Sequence, residues 1–245
     1  MHIGNAGCTE KDLKNYITKI KNDDKGFIIG MGDYADCIIK DDKRFQSGGL
    51  AKWVEKDNII QSQLDYVTDL FTPVKDKIIC LLTGNHEEQI HDKYQNNFTV
   101  NLCRNLGVPY AGYTCFIELK FTRGTPLNVI KVHAWHGSGA AQTEGARLMR
   151  LMRLVNDIEA RIYLMGHLHA ITYHTPDRLI CSNGRVRSER LAAVTTGSWL
   201  RTYTQTKTAE PVPPSYGEKA GYKPSRLGCP VIHICPDKDI VTVEA

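Results

Sequence analysis

Four stretches of the chain share one grammar: an apolar run, a glycine at or beside its end, then a side chain able to hold a metal ion. They are Phe27-Ile28-Ile29-Gly30-Met31-Gly32-Asp33, Ile78-Ile79-Cys80-Leu81-Leu82 followed by Gly84-Asn85-His86-Glu87, Val129-Ile130-Lys131-Val132-His133-Ala134-Trp135-His136-Gly137, and Ile162-Tyr163-Leu164-Met165-Gly166-His167-Leu168-His169. A short apolar run of this kind reads as a buried strand. The glycine lets the backbone turn, so Asp33, Asn85, His136, His167 and His169 fall in loops just past four strand ends. In open α/β sheets, ligands bind in the crevice outside the carboxyl ends of the strands. The pattern therefore constrains the fold and points to a site together.

The rest of the chain fits an α/β class. Thr9, Glu10 and Asp12 precede Leu13, Tyr16, Ile17 and Ile20 at helical spacing, which predicts a capped amphipathic helix ending near Asn22. Leu50, Trp53, Val54, Ile59, Ile60, Leu64, Val67 and Leu70 predict a second helix, closed by Pro73. A third is expected over 87–106, with Gly107 as its cap. Residues 115–121 and 127–132 read as strands joined through Thr122-Arg123-Gly124-Thr125-Pro126, a hairpin signal. A helix is expected over 143–158, strands over 162–165, 170–174 and 190–196, and a final hairpin from 231–234 and 240–243. Residues 33–47 read as polar and irregular, and 201–228 as a long loop, a candidate lid. Strands alternate with helices early and hairpins dominate late, which predicts a mixed α/β sandwich over a doubly wound sheet.

Bulk properties narrow the class. The 245 residues suit one domain over 1–245, as no linker or composition break divides them. A net charge of +4 permits phosphate-bearing substrates without implying a nucleic-acid binder. None of the eight cysteines forms a C-x-x-C pair, which predicts reduced, mostly buried thiols and a cytoplasmic protein. No apolar run reaches the ~18 residues of a membrane span, and no signal peptide is expected.

The polar endings carry the chemistry. Imidazoles suit Zn, Fe, Mn, Ni or Co, and carboxylate and amide oxygens suit harder ions. No thiolate joins them, against a structural zinc site. Five or more ligands exceed the need of one tetrahedral ion, so two divalent ions are expected, with Asp33 able to bridge them. Such a pair clamps the oxygens of an in-line displacement and lowers the pKa of a water, so that hydroxide attacks directly. His86, at a helix start between Asn85 and Glu87, is the candidate general acid. His133 competes with His136 for one strand end; Gly137 favours His136. Arg147, Arg150 and Arg153 read as a solvated helix face, with phosphate collection as the alternative. Tyr216, Lys219, Tyr222, Lys223 and Arg226 interleave rings and cations, a pattern suited to nucleotides.

With Gly32-Asp33-Tyr34-Ala35-Asp36, Gly84-Asn85-His86-Glu87, His136-Gly137 and Gly166-His167-Leu168-His169 in this order, the chain resembles the calcineurin-like metallophosphoesterase family. The resemblance implies a four-layer αββα sandwich of two mixed β-sheets flanked by helices. It implies His2, Asp33 and His169 on one ion, and Asp33, Asn85, His136 and His167 on the other. It implies His86 as acid and Asp36 as the group orienting a histidine. Manganese is the first expectation for the metal. The family's opening motif is Asp-x-His after a strand; His2-Ile3-Gly4 fits its second half, and the aspartate would lie before Met1, so a weakened first ion site is expected. The family's phosphoprotein phosphatases carry Arg-Gly after the GDxxD aspartate and Arg before GNHE, where this chain has Cys37-Ile38 and Thr83. A phosphodiesterase acting on nucleotides or nucleic acid is therefore expected. The alternatives are a protein or phosphomonoester phosphatase, or a non-catalytic interaction module retaining the fold.

Overall fold

The computed structural model describes residues 1–122, 128–182, 184–203 and 214–245. It divides into two compact units, Met1–Tyr113 with Ser198–Gly228 and Thr114–Gly197 with Cys229–Ala245. Together they make a mixed α/β protein.

In the first unit, α1 (Glu10–Asn22) starts on Glu10 and Asp12 and ends on Lys19 and Lys21, charges that complement the helix dipole, and it buries Leu13 and Ile17. Thr9, the expected cap, donates its hydroxyl to the Trp199 carbonyl instead, at 3.0 Å. Strand β1 (Ile28–Gly30) pairs in parallel with β2 (Ile78–Leu81). Between them, α2 (Ile59–Phe71) buries Leu64, Val67 and Phe71. The predicted start near Leu50 was too early. Residues 51–58 make tight turns, with Val54 N on Ala51 O and Asn58 N on Glu55 O. Trp53 is not on a helix face: it stacks on Tyr66 at 4.1 Å, and both donate to the Glu10 carboxylate.

The helix expected over 87–106 is two, α3 (Asn85–Tyr94) and α4 (Phe98–Leu106). Gln95 takes φ 54°, which ends the first, and Asn97 caps the second by accepting from Val100 N at 3.0 Å. Gly107, at φ 70°, closes α4 as its position in the sequence suggests.

In the second unit a five-stranded mixed sheet runs β3-β4-β5-β9-β6. Its strands are β3 (Thr114–Phe121), β4 (Asn128–Trp135), β5 (Ile162–Met165), β6 (Ile171–His174) and β9 (Ala192–Thr196), and α5 (Glu144–Asp157) precedes β5. β5 lies parallel to both β4 and β9. It is buried throughout, while β3 alternates exposed and half-buried positions. That is the difference expected between a central parallel strand and an antiparallel edge. Leu151 of α5 packs with Tyr163, Met165, Leu191 and Ala193.

A hairpin of β7 (Asp177–Ser182) and β8 (Arg185–Arg190) was not foreseen. Its charged residues hide the strand pattern, and the usable signal was the Asn183-Gly184 dipeptide. β10 (Val231–Cys235) and β11 (Ile240–Glu244) form the expected last hairpin. The turn expected at 122–126 falls mostly outside the described residues, as do 204–213 of the expected long loop. Within the rest of that loop, Tyr216–Lys219 forms one helical turn. Cys37, Cys80 and Cys103 are buried; Cys181 is exposed and the other four lie between. Among the described residues, no helix is long and apolar enough to cross a membrane.

The Tyr163 hydroxyl lies against the carbonyls of Ile158 and Ala160, at 2.7 Å each, and accepts from Ala160 N at 3.1 Å. Tyr163→Phe strands these buried groups and is expected to cost ~1–3 kcal/mol. Thermal denaturation checks this; an unchanged midpoint would show the hydroxyl to be dispensable.

Candidate metal centre

Parallel pairing of β1 and β2 sends both following loops out of one sheet edge. The first carries Asp33 and Asp36, and the second Asn85, His86 and Glu87. A further segment joins them: Ile3 bridges Ala35 in parallel, and His2 N donates to Asp33 O at 2.9 Å.

One buried carboxylate ties the loops. Glu87 accepts from Gly84 N at 3.0 Å and Asp33 N at 2.9 Å on one oxygen, and from Tyr34 N at 2.6 Å and Ala35 N at 3.3 Å on the other. Asp33 Oδ1 accepts from His86 N at 3.1 Å. His2 lies between two carboxylates, with Nε2 3.7 Å from Asp33 Oδ2 and Nδ1 3.6 Å from Asp36 Oδ1. Burial pushes the Asp36 carboxyl above its ordinary range; His86 and the 3.1 Å bond from Asn5 Nδ2 pull the other way.

His86 is held on both ring nitrogens. Nδ1 meets the carbonyl of Asp36, which only accepts, so Nδ1 carries a hydrogen. Nε2 lies 3.3 Å from Arg44 Nη1, which only donates, so Nε2 offers a lone pair. His2, Asp36 and His86 present ligand atoms within 4.8 Å of one another. With both its nitrogens engaged, His86 stands apart from a ligand set. Asp36 holds it through the main chain, a contact that residue type alone does not reveal.

Sequence reasoning missed the residues around Arg44. Asp42 accepts from Arg44 Nε at 3.1 and 3.2 Å and from Nη2 at 2.7 Å, and Gln89 Oε1 accepts from Nη2 at 2.5 Å. Gln89 Nε2 also donates to Asp42, at 2.9 Å. The guanidinium holds the Asp42 carboxyl below its usual range, its hydrogen bonds contributing most. In the sequence Asp42 and Arg44 sit in Lys40-Asp41-Asp42-Lys43-Arg44, which looks like any solvated charge run.

In the second unit β4 and β5 are parallel, with Trp135 opposite Met165. Their loops therefore leave the same edge, one with His136 and the other with His167 and His169. The rings of His136 and His167 meet edge to face with centroids 5.5 Å apart, and their ligand atoms lie within 4.8 Å. Gly137 takes φ +97°, which excludes an ordinary side chain there. Arg147 and Arg150 are not a merely solvated face: they pin the loop after His136. Arg150 donates to Ser138 O, and Arg147 to Gln142 O at 3.2 Å and Thr172 Oγ1 at 3.0 Å. His133 is a buried strand residue 3.1 Å from Thr114 Oγ1, and burial lowers its pKa.

Seven non-glycine residues among those described have positive φ, and four are candidate ligands: His2 (61°), Asp33 (51°), His167 (65°) and His169 (52°). Each such residue costs of order 1–3 kcal/mol and persists only where its surroundings over-determine it. Asn85, the first residue of α3, and His136 are the other two expected ligands. The donors fit a divalent ion of the Mn, Fe or Zn type, being imidazole and carboxylate or amide oxygen. The neighbouring Cys37 thiol is buried and strongly held protonated.

No model of a known protein family matches the sequence, and no curated protein matches it.

Proposed function

We propose that the chain is a dinuclear metal-dependent phosphoesterase hydrolysing phosphodiesters of nucleotides or nucleic acid, and that it works in the cytoplasm. One ion would be held by His2, Asp33 and His169, and the other by Asp33, Asn85, His136 and His167. This reading takes 1–245 as one working domain of the four-layer sandwich type. The observation that carries it is the strained backbone: the left-handed residues concentrate on the histidines and aspartate whose chemistry suits a metal. Divalent ions bound there supply Lewis acidity toward phosphoryl oxygens and a water of lowered pKa.

The chain's own residues do the rest. Glu87 fixes the loop carrying Asp33. The main chain of Asp36 fixes the His86 ring, leaving Nε2 as the edge from which a proton reaches the leaving oxygen. In the resting arrangement Nε2 offers its lone pair to Arg44, so the acid role requires that contact to break and Nε2 then to take up a proton from solvent before passing it to the leaving oxygen.

That engagement also suits the non-catalytic alternative, in which the His86 ring is a strut. Hydrolysis of bis-p-nitrophenyl phosphate in Mn²⁺ separates the two. His86→Ala is expected to lose ~10²–10⁴-fold in rate while keeping its metal content, the range of a general acid. Full activity of the variant would remove the acid role. A wild type inert toward phosphomonoesters, diesters and single-stranded DNA with every divalent ion would remove the phosphoesterase reading.

A further inference from the structure

We propose that Arg44 takes a non-bridging oxygen of the substrate's phosphate group beside His86, and that Asp42 and Gln89 are positioning residues that hold its guanidinium there. The proposal rests on the phosphoesterase reading above.

Asp42, with a side chain only 5% exposed, takes Nε and one face of Nη2 of the guanidinium. Gln89 takes the other Nη2 hydrogen. Gln89 lies three residues after His86 on α3, so both side chains project from one helix face and share one rigid element. Asp42 is itself set by a local turn, accepting from Arg44 N at 2.8 Å. An ordinary surface pair looks different: Lys40 and Asp57 meet at 3.3 Å with side chains 62% and 98% exposed.

The donors can then be counted. Arginine has five N–H groups in a rigid fork. Asp42 and Gln89 account for Nε and Nη2. Nη1 is left with two hydrogens, one directed at His86 Nε2 and the other without a partner among the described residues. A neutral imidazole lone pair is a weak partner for a guanidinium. A phosphate oxygen is charged and suits the planar fork. The part-buried clamp fixes three donors and leaves Nη1 presented at the His86 Nε2 edge. An anion that takes both Nη1 hydrogens also vacates Nε2, which is then open to take up the proton it lacks in the resting arrangement.

The test uses the full chain loaded with Mn²⁺, comparing wild type, Arg44→Ala, Arg44→Lys and Gln89→Ala. Inorganic phosphate binding is read by calorimetry and diester hydrolysis by initial rates. Arg44→Ala should weaken phosphate binding and raise KM by ~10–100-fold, the loss of a hydrogen bond to a charged group. Millimolar guanidinium should restore part of this. Lysine should recover only part, and Gln89→Ala should show a smaller loss in the same direction. Unchanged phosphate affinity and KM in Arg44→Ala, with the melting temperature and metal content of wild type, would overturn the proposal. So would full recovery by lysine, since a point charge would then suffice. If Arg44→Ala does not fold, the lysine and Gln89 variants carry the same two readings. A wild type that neither hydrolyses esters nor binds phosphate would instead overturn the phosphoesterase reading beneath it.

Discussion

Glu87→Ala is expected to destabilise the chain by ~3–6 kcal/mol, since buried donors left without acceptors cost roughly 1–3 kcal/mol each and water can satisfy only some. Four main-chain N–H groups converge on this carboxylate, from Gly84, Asp33, Tyr34 and Ala35. The residue is 1% exposed. It sits in the first turn of α3, where the helix dipole also favours its charge. At about 2–4 °C per kcal/mol for a chain of this size, the melting temperature should fall by roughly 6–24 °C. Glu87→Gln keeps the shape but turns an amide donor toward some of the same N–H groups, so most of the loss should remain. Chemical denaturation of the two variants decides the point. A cost below about 1 kcal/mol for alanine, in the range of a surface substitution, would show that the loops do not depend on this carboxylate.

Gly84→Ala should act on the site more than on stability. A Cβ at this position would fall on Asp33 N and Oδ1, and 2.8 Å from Glu87 Oε2. None of these atoms is the far end of a flexible chain: the first is backbone, and the carboxylates are held by hydrogen bonds. The Asp33 loop must therefore move away. If Asp33 holds an ion, its affinity should drop by roughly 10–100-fold, as when groups that orient a ligand are lost. The stability cost should stay near the ~1–3 kcal/mol of an overpacked site. Metal content after dialysis, read beside the melting temperature, separates the two effects. Wild-type metal retention in a folded Gly84→Ala chain would mean that Asp33 is not a ligand, or that the loop yields without displacing it.

Arg161 shows how far long-range order escapes local reading. In the sequence it is a charge before a strand. In the structure it is 7% exposed and bonds Asp239, far along the chain, and the Arg190 carbonyl. Trp53 is a second case. Its spacing matched a helix, yet its indole is fixed by Glu10 and Tyr66 from other elements. The α3–α4 break is a third, because the turn at Gln95 and the cap at Asn97 interrupt a run whose helical spacing continues on both sides.

What the sequence by itself determined is local. Apolar runs of strand length, glycines at their ends and the metal-capable residues behind them are neighbours along the chain; β1, β2 and β5 end within a residue of where that grammar places the end, while β4 runs on to Trp135, past the expected 132. The left-handed backbone of His2, Asp33, His167 and His169, the convergence of four N–H groups on Glu87, and the Asp42–Arg44–Gln89 clamp on His86 were decided by tertiary structure alone. The reason is physical: the contacts that complete them, Glu87 to Asp33 and Arg44 to Gln89, join groups tens of residues apart, and a hydrogen bond depends on where packing brings two atoms, which no spacing along the chain encodes.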